Sequence, residues 1–461
     1  MKNSIKYNKI HMIGIGGISM SGIAQILLKW GYKITGSDRS DSDMVQRLIK
    51  AGAEVSLGHN ENNITDQDLI IYTAAISKDN PELVKAKELG IKAMERADFL
   101  GELTKLYPKT IAISGTHGKT TTSSMISLCF LEANLDPAIQ IGTILPQINE
   151  NYRVSDSEYF VIEACEYVDS FLKFYPYTEI ILNIEAEHLD YFKDINAIYD
   201  SFIKFTEKLP TNGNLIINID DNGCNDIIKR LRKDINIITY SIKNPNADIY
   251  AFDIHFKEDG CAIFDVKLKD KEINNIELNI IGLHNVSNAC ACIATCLAHN
   301  IKTEVIKQAL NKFQGSQRRF EFKGLTKNNS KVYDDYAHHP TEIKAILSAV
   351  KKMKHNKIIT VFQPHTYSRV KTLFKDFITA FEDTDELVIT DIYAAREMDD
   401  GAVSSDILVK MINESYPNKA TYISNFENIV KYLDKNSKED DLILLLGAGT
   451  IVQLSKQLVN K

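Results

Sequence analysis

The sequence predicts an α/β protein of three segments, each built on strands separated by helices. Short apolar runs alternate with helical patterns along most of the chain, the mark of parallel sheets with helices on their faces. Several runs stop at a polar or glycine-bearing loop, where open α/β sheets place their ligands. At 461 residues the chain is too long for one ordinary domain, and its length points to roughly three.

The first segment, 1–107, predicts strands at Lys9–Ile13, Lys33–Gly36 and Leu69–Thr73 and a helix at Met20–Trp30. Charged residues of Pro81–Leu103 read as solvated helix faces. The loop Gly14-Ile15-Gly16-Gly17-Ile18-Ser19-Met20 follows the first strand, and Asp38 ends the second. This imitates a dinucleotide fingerprint with an acid placed for a ribose, but Ser19 stands at the third glycine position. A tight turn and a helix start suit any diphosphate, so a UDP-linked ligand fits as well as NAD. A turn without ligand is the bland alternative.

The second segment, 108–322, holds the most informative stretch, Ile111-Ala112-Ile113-Ser114-Gly115-Thr116-His117-Gly118-Lys119-Thr120-Thr121-Thr122. A short apolar strand, a glycine loop and Lys-Thr opening a helix aim backbone N–H groups at one point, which suits a polyphosphate. Lys119 is placed to reach the outer phosphates and the Thr120 hydroxyl to hold Mg²⁺. The strict Walker A spacing fails, because Ile113 stands five residues before Gly118 and Gly115 only three. Strands are expected at Tyr159–Ile162 and Ile180–Leu182. Glu163 closes the first of these, with Glu166 three residues on, and a strand-end carboxylate beside a phosphate loop is a natural Mg²⁺ partner. His188, in Asn183-Ile184-Glu185-Ala186-Glu187-His188-Leu189-Asp190, suits a second divalent ion, a phosphate or a helix cap. Asp248 to Ile281 reads as an antiparallel insertion turning at Glu258-Asp259-Gly260, followed by a helix from Val286 to Ala298. Asn285 and Ser287 fit N-caps, while Asn285 and Asn288 also fit contacts to adenine. Arg318 and Arg319 fit either a phosphate clamp or surface charge.

The third segment, 323–461, predicts strands at Lys331–Asp334, Lys357–Phe362, Glu386–Thr390 and Asp441–Leu446. Asp335-Tyr336-Ala337-His338-His339-Pro340 follows the first, Gln363-Pro364-His365-Thr366-Tyr367-Ser368-Arg369 the second, and Asp391 to Glu397 the third. His338, His365 and Arg369 suit anion binding or proton transfer.

A net charge of −7 gives no basic excess for nucleic acid, and no apolar run is long enough to span a membrane. The N-terminal stretch reads as strand and loop, not as a signal peptide. Seven cysteines without a paired C-x-x-C framework point to a reducing cytoplasm. Cys290, Cys292 and Cys296 fall in one apparent helix, where small buried apolar residues are the favoured reading over a metal site.

G-I-G-G-x-S-M, G-T-H-G-K-T-T-T, N-I-E-A-x-H-L-D, H-N-x-x-N-A, R-R-F-E, D-D-Y-A-H-H-P and Q-P-H-x-Y-x-R, in that order, resemble the Mur ligase family over essentially the whole chain. The resemblance implies a Rossmann-like N-terminal domain that binds a UDP-linked substrate. It implies a central P-loop ATPase-type domain with an antiparallel insertion, and a Rossmann-like C-terminal domain that binds the amino acid. It further implies ATP and Mg²⁺ as cofactors. UDP-N-acetylmuramate and L-alanine are the implied substrates, joined through an acyl phosphate. By matching position, Gly14, Gly16, Gly17, Ser19, Met20 and Asp38 belong to the UDP-substrate side. Gly115, Thr116, His117, Gly118, Lys119, Thr120 and Thr121, with Asn285, Asn288 and Arg319, belong to ATP. Thr120, Glu163 and His188 match metal ligands, and Lys119, His338, His365 and Arg369 the catalytic set. Cys165 and Tyr167 replace residues that are acidic or small in many members, and Glu187 stands where Asp is usual. A ligase adding a preformed peptide is the nearest alternative; an NAD-dependent oxidoreductase leaves the Gly-Lys-Thr loop without a task.

Overall fold

The computed structural model describes residues 5–189, 191–395 and 397–459. Asp190 and Arg396, which fall inside two of the motifs above, lie outside the described residues. The fold is three-part α/β, built on three sheets.

The first sheet contains β1 (Lys9–Ile13), β2 (Lys33–Asp38), β3 (Glu54–Leu57), β4 (Leu69–Tyr72) and β5 (Lys92–Glu95), in the order β3-β2-β1-β4-β5. All its pairings are parallel. The two strands that the sequence pattern misses, β3 and β5, are the edges, where polar and exposed residues erase the apolar signal. Pro81–Leu103 is therefore not helix faces throughout: β5 separates the helices Pro81–Glu88 and Arg96–Thr104. Nor are its charges all solvated, since Glu82 is fully buried. Its carboxylate accepts from Ser37 Oγ at 2.7 Å and Asn63 Nδ2 at 2.6 Å, and His59 and His11 lie 3.2 and 3.5 Å away.

The second sheet contains β6 (Lys109–Ser114), β7 (Ala138–Leu145), β8 (Glu150–Arg153), β9 (Tyr159–Glu163), β10 (Thr178–Ile181), β11 (Asn214–Asn218), β12 (Asn236–Ser241), β13 (Ile249–Phe256), β14 (Cys261–Lys267) and β15 (Glu272–Ile281). Its order is β15-β14-β13-β12-β11-β10-β6-β9-β7-β8. β6 is central and buried from Thr110 to Ser114, with parallel neighbours β9 and β10.

The third sheet contains β16 (Glu321–Leu325), β17 (Lys331–Asp335), β18 (Ile358–Phe362), β19 (Glu386–Ile389), β20 (Ala420–Tyr422) and β21 (Leu442–Leu446), ordered β16-β17-β21-β18-β19-β20. The uninterrupted apolar run of β21 fits its place between two parallel partners.

The chain divides into two compact units, one of residues 1–251, 266–273 and 288–310, the other of 252–265, 274–287 and 311–461. Within the first, the first two sheets share one hydrophobic core that includes Ile10, Ile23 and Leu27 as well as Phe160, Phe202 and Leu215. The helix Ile18–Lys29 buries every residue from Met20 to Leu27, as expected of a helix covered on more than one side. Asn151 Nδ2 donates to its Ile18 carbonyl at 2.8 Å, and Tyr152 Oη to Gln25 Oε1 at 2.6 Å. Gly22 leaves room for the Gln140 amide, which a Cβ there would strike.

Candidate active site

In the first unit, the loop after β6 is shaped by two glycines with positive φ, Gly115 (+128°) and Gly118 (+85°). Gly118 is the N-cap of the helix Lys119–Glu132 and offers no side-chain cap, and a helix N-terminus opened by glycine suits an anion. A Cβ on Gly118 would lie 2.7 Å from Asn288 Oδ1, which shows how closely Asn288 approaches the loop. Asn183 clamps the loop from β10: its Oδ1 accepts from His117 N at 2.7 Å, and its own carbonyl accepts from Thr116 N at 3.1 Å. Thr116 Oγ1 accepts from Glu185 N at 2.9 Å.

Lys119 turns its ammonium back onto the Gly115 and Thr116 carbonyls and pairs with Glu166 Oε2 at 3.1 Å. Burial pulls the Lys119 pKa down, and Glu166, with Cys165 and Glu163, more than offsets it, so the group stays charged. Glu166 is itself buried, and His188 Nε2 lies 4.0 Å from its Oε1. His188 adopts a positive φ of 56° and packs its ring 4.5 Å from that of Tyr167. It caps no helix there; the next helix, Ile195–Thr206, is capped by Asp194.

Glu163 receives three donors: Thr120 Oγ1 at 3.2 Å, Ser123 Oγ at 3.2 Å and Gly142 N at 2.6 Å. Carboxylate and hydroxyl oxygens beside a phosphate loop are the hard donor set that Mg²⁺ requires, so these residues fit that ion. The sequence reading missed Ser123, Gly142 and Asn183. Ser123 lies three residues after Thr120, a helical spacing that was readable. Gly142 carried no local signal, because only the β7–β9 pairing brings it to Glu163.

The Gly14–Met20 loop lies in the same unit. Gly14 has φ +76°, and the Gly14 and Ile15 amides donate to the Ser37 carbonyl at 2.8 and 3.1 Å. Asp38 Oδ2 accepts from Gly16 N at 2.9 Å, and Oδ1 from Ser40 N at 3.1 Å, so this acid also orders the loop. Gly17 is the N-cap of the following helix, and Met20 is buried. Ser19 Oγ accepts from Arg96 Nη1 at 3.0 Å. Burial lowers the Arg96 pKa, against the opposing pull of Cys165 and Glu95. Arg96 carried no motif signal.

In the second unit, Arg319, just before β16, and side chains that follow β17 and β18 form a continuous string. The Arg319 guanidinium sits 5.3 Å from the Tyr336 ring centroid, and the Tyr336 and His338 rings are 5.3 Å apart. The His338 and His365 rings are 5.8 Å apart, and Arg369 Nη1 lies 3.0 Å from His365 Nδ1. Burial pushes Asp335 up to about 6, against Arg319 and the amides of Ala337 and Phe320. Arg318 also lies over the Tyr336 ring, at 5.1 Å, and is held by Asp334 Oδ2 at 3.0 Å and the Gly447 carbonyl at 2.5 Å. Asn285 and Ser287 are not N-caps, because the helix begins at Leu283; Asn285 donates to the Ile281 carbonyl at 2.8 Å.

Three family descriptions match the chain in succession: "Mur ligase family, catalytic domain" over 9–108, "Mur ligase middle domain" over 113–296 and "Mur ligase, glutamate ligase domain" over 318–449. The UDP-N-acetylmuramate–L-alanine ligase of Acetivibrio thermocellus is 51% identical over 451 residues, covering 98% of this chain and 95% of its own. The Clostridium perfringens protein of the same name is 48% identical over 448 residues, covering 97% of each. The crystal structure of the Thermotoga maritima UDP-N-acetylmuramate–alanine ligase aligns at TM-score 0.82 and 25% identity over 98% of both chains. Three successive family matches and near-complete coverage at half identity agree: this chain belongs to the Mur ligase family.

Proposed function

We propose that the chain is an ATP-dependent ligase that joins L-alanine to the lactyl carboxylate of UDP-N-acetylmuramate, in peptidoglycan precursor synthesis. The carrying observation is 51% identity, over 98% of this chain, to a relative of that name. The lactyl carboxylate attacks the γ-phosphorus of ATP, ADP leaves, and an acyl phosphate forms. The alanine amine then attacks the acyl carbon, phosphate leaves, and the amine gives up a proton. Activation is needed because a carboxylate is a poor electrophile toward an amine.

Lys119 and the amides at Gly118–Thr121 hold the phosphates and offset the charge that develops during transfer. Thr120, Glu163 and His188 are the ligands we assign to Mg²⁺, with Glu166 between Lys119 and His188. Mg²⁺, when bound, supplies charge neutralisation between nucleotide and carboxylate. Asn288 contacts the loop from its own helix, and we assign it with Asn285 and Arg319 to the ATP side. Gly14, Gly16, Gly17, Ser19, Met20 and Asp38 are assigned to the UDP-substrate. His338, His365 and Arg369 are assigned to the acyl phosphate and the incoming amino acid. Domains of 1–107, 108–322 and 323–461 divide this work. A cytoplasmic location fits the seven free cysteines, and no described helix is long and apolar enough to cross a membrane.

Phosphate release with Mg²⁺ and ATP, measured with and without UDP-N-acetylmuramate and each amino acid, tests the reading. Release should require the UDP-sugar acid together with an amine, and L-alanine should be the best amine. Preference for a tripeptide over L-alanine would transfer the chain to the peptide-adding branch, and release indifferent to both co-reactants would end the ligase reading.

A further inference from the structure

The most deeply buried reactive cluster outside that site is made of sulfur. Cys129, Cys292 and Cys296 are each fully buried. Cys129 sits near the end of the phosphate-loop helix Lys119–Glu132, and Cys292 and Cys296 lie one turn apart on the helix Leu283–Ala298, hence on one face. The Cys129 and Cys292 sulfurs are 3.6 Å apart, those of Cys292 and Cys296 3.9 Å, and all three lie within 4.8 Å of one another. Three sulfurs around one ion at metal–sulfur distances of about 2.3 Å stand roughly 3.3–4.0 Å apart, nearest when the ion carries a lone pair and the set is pyramidal. Two of the three spacings already fall in that range, and the third is no more than 4.8 Å. Packing alone accounts for small buried thiols, but it does not require three of them, from two helices, to converge on one point.

Charge selects the ion. Three thiolates carry three negative charges, so a monovalent ion leaves two in the core and a divalent ion leaves one. A trivalent ion leaves none, and an uncompensated charge in such a place is strongly disfavoured. We propose that Cys129, Cys292 and Cys296 form a binding site for a trivalent thiophilic ion of the arsenite or antimonite type, held as a neutral tris-thiolate. The step balances without redox change. Arsenous acid loses three As–O bonds and gains three As–S bonds, and each thiol proton leaves with a hydroxyl as water. The bound ion ties the helix bearing Lys119 and Thr120 to the helix bearing Asn288. Because the sulfurs are closed off from solvent, entry needs local opening and is slow.

The test uses the full chain, reduced with a phosphine, freed of metals and incubated with sodium arsenite. Intact-mass measurement should show one arsenic added and three hydrogens lost per chain, reversed by excess dithiol, with a raised thermal midpoint. Cys292→Ala and Cys129→Ala should each bind at least tenfold more weakly, and Cys261→Ala, outside the cluster, should bind like the parent. Midpoints without arsenite check that each variant folds. No adduct on the parent, an equal adduct on Cys292→Ala, or stoichiometric Zn²⁺ or Cu⁺ in place of arsenite would overturn the proposal.

Discussion

Two loops of this molecule have the same backbone plan and different chemistry. Gly14–Met20 and Gly115–Lys119 each leave a parallel strand, turn on a positive-φ glycine and enter a helix whose N-cap is a glycine. Each therefore aims the N-terminus of a helix at one point, a geometry that suits an anion. Their side chains separate them. The second loop carries Lys119 among Glu166, Glu163 and Thr120, a cation and hard oxygens together, suited to a triphosphate with its metal. The first has no lysine; Asp38 holds the Gly16 amide, and Arg96 reaches Ser19 from another helix. Backbone geometry thus makes the two loops alike, and the surrounding side chains give them different charge and donor sets.

The largest expected effect falls on the second loop. Lys119→Ala should reduce kcat on the order of 10³-fold, the scale of losing a principal charge-stabilising donor. Binding of the UDP-substrate, measured by calorimetry, should be nearly unchanged, and loss of that binding would erase the division of labour between the loops. Arg96→Leu is the counterpart on the first loop. It should raise KM for UDP-N-acetylmuramate roughly 10- to 100-fold, the worth of a hydrogen bond to a charged group, with KM for ATP unmoved. An equal rise in both would mean that Arg96 supports the whole unit.

The smallest effect lies beneath the second loop. Glu179, on β10, is fully buried, and neither carboxyl oxygen has a hydrogen-bond partner among the described residues. Burial drives its pKa well above the usual value. A raised carboxyl pKa means that the folded state holds the proton longer than the unfolded one, so stability falls as pH rises above the unfolded value of about 4.3 toward the folded one. Glu179→Leu should raise the thermal midpoint by about 2 °C or more at pH 8 and by less at pH 5. Equal shifts at both pH values would attribute the gain to packing.

Much of the site was readable because its signals are local. Gly-Lys-Thr after an apolar strand, a glutamate closing the next strand and histidines following strands of the third sheet each lie within a few residues of the backbone feature that uses them. The buried role of Glu82 was not readable, because its partners Ser37, Asn63, His59 and His11 come from four other places in the chain. The paired arginines are likewise sorted only by tertiary contacts: both guanidiniums lie over the Tyr336 ring, and Arg318 is held in addition by Asp334 and the Gly447 carbonyl.

The sequence alone determined the three-part α/β class and the glycine turns of the two loops, since alternation of apolar runs and the φ freedom of glycine act over one strand–loop–helix unit. Tertiary structure decided which side chains serve the second loop. Placing β6 between β9 and β10 brings Glu163 and Asn183 to one edge, and pairing β7 with β9 adds Gly142. The same packing sets Cys129 against Cys292, 163 positions away. Strand order and helix packing are settled by burial of the shared core, a property of the assembled chain that no short stretch of residues contains.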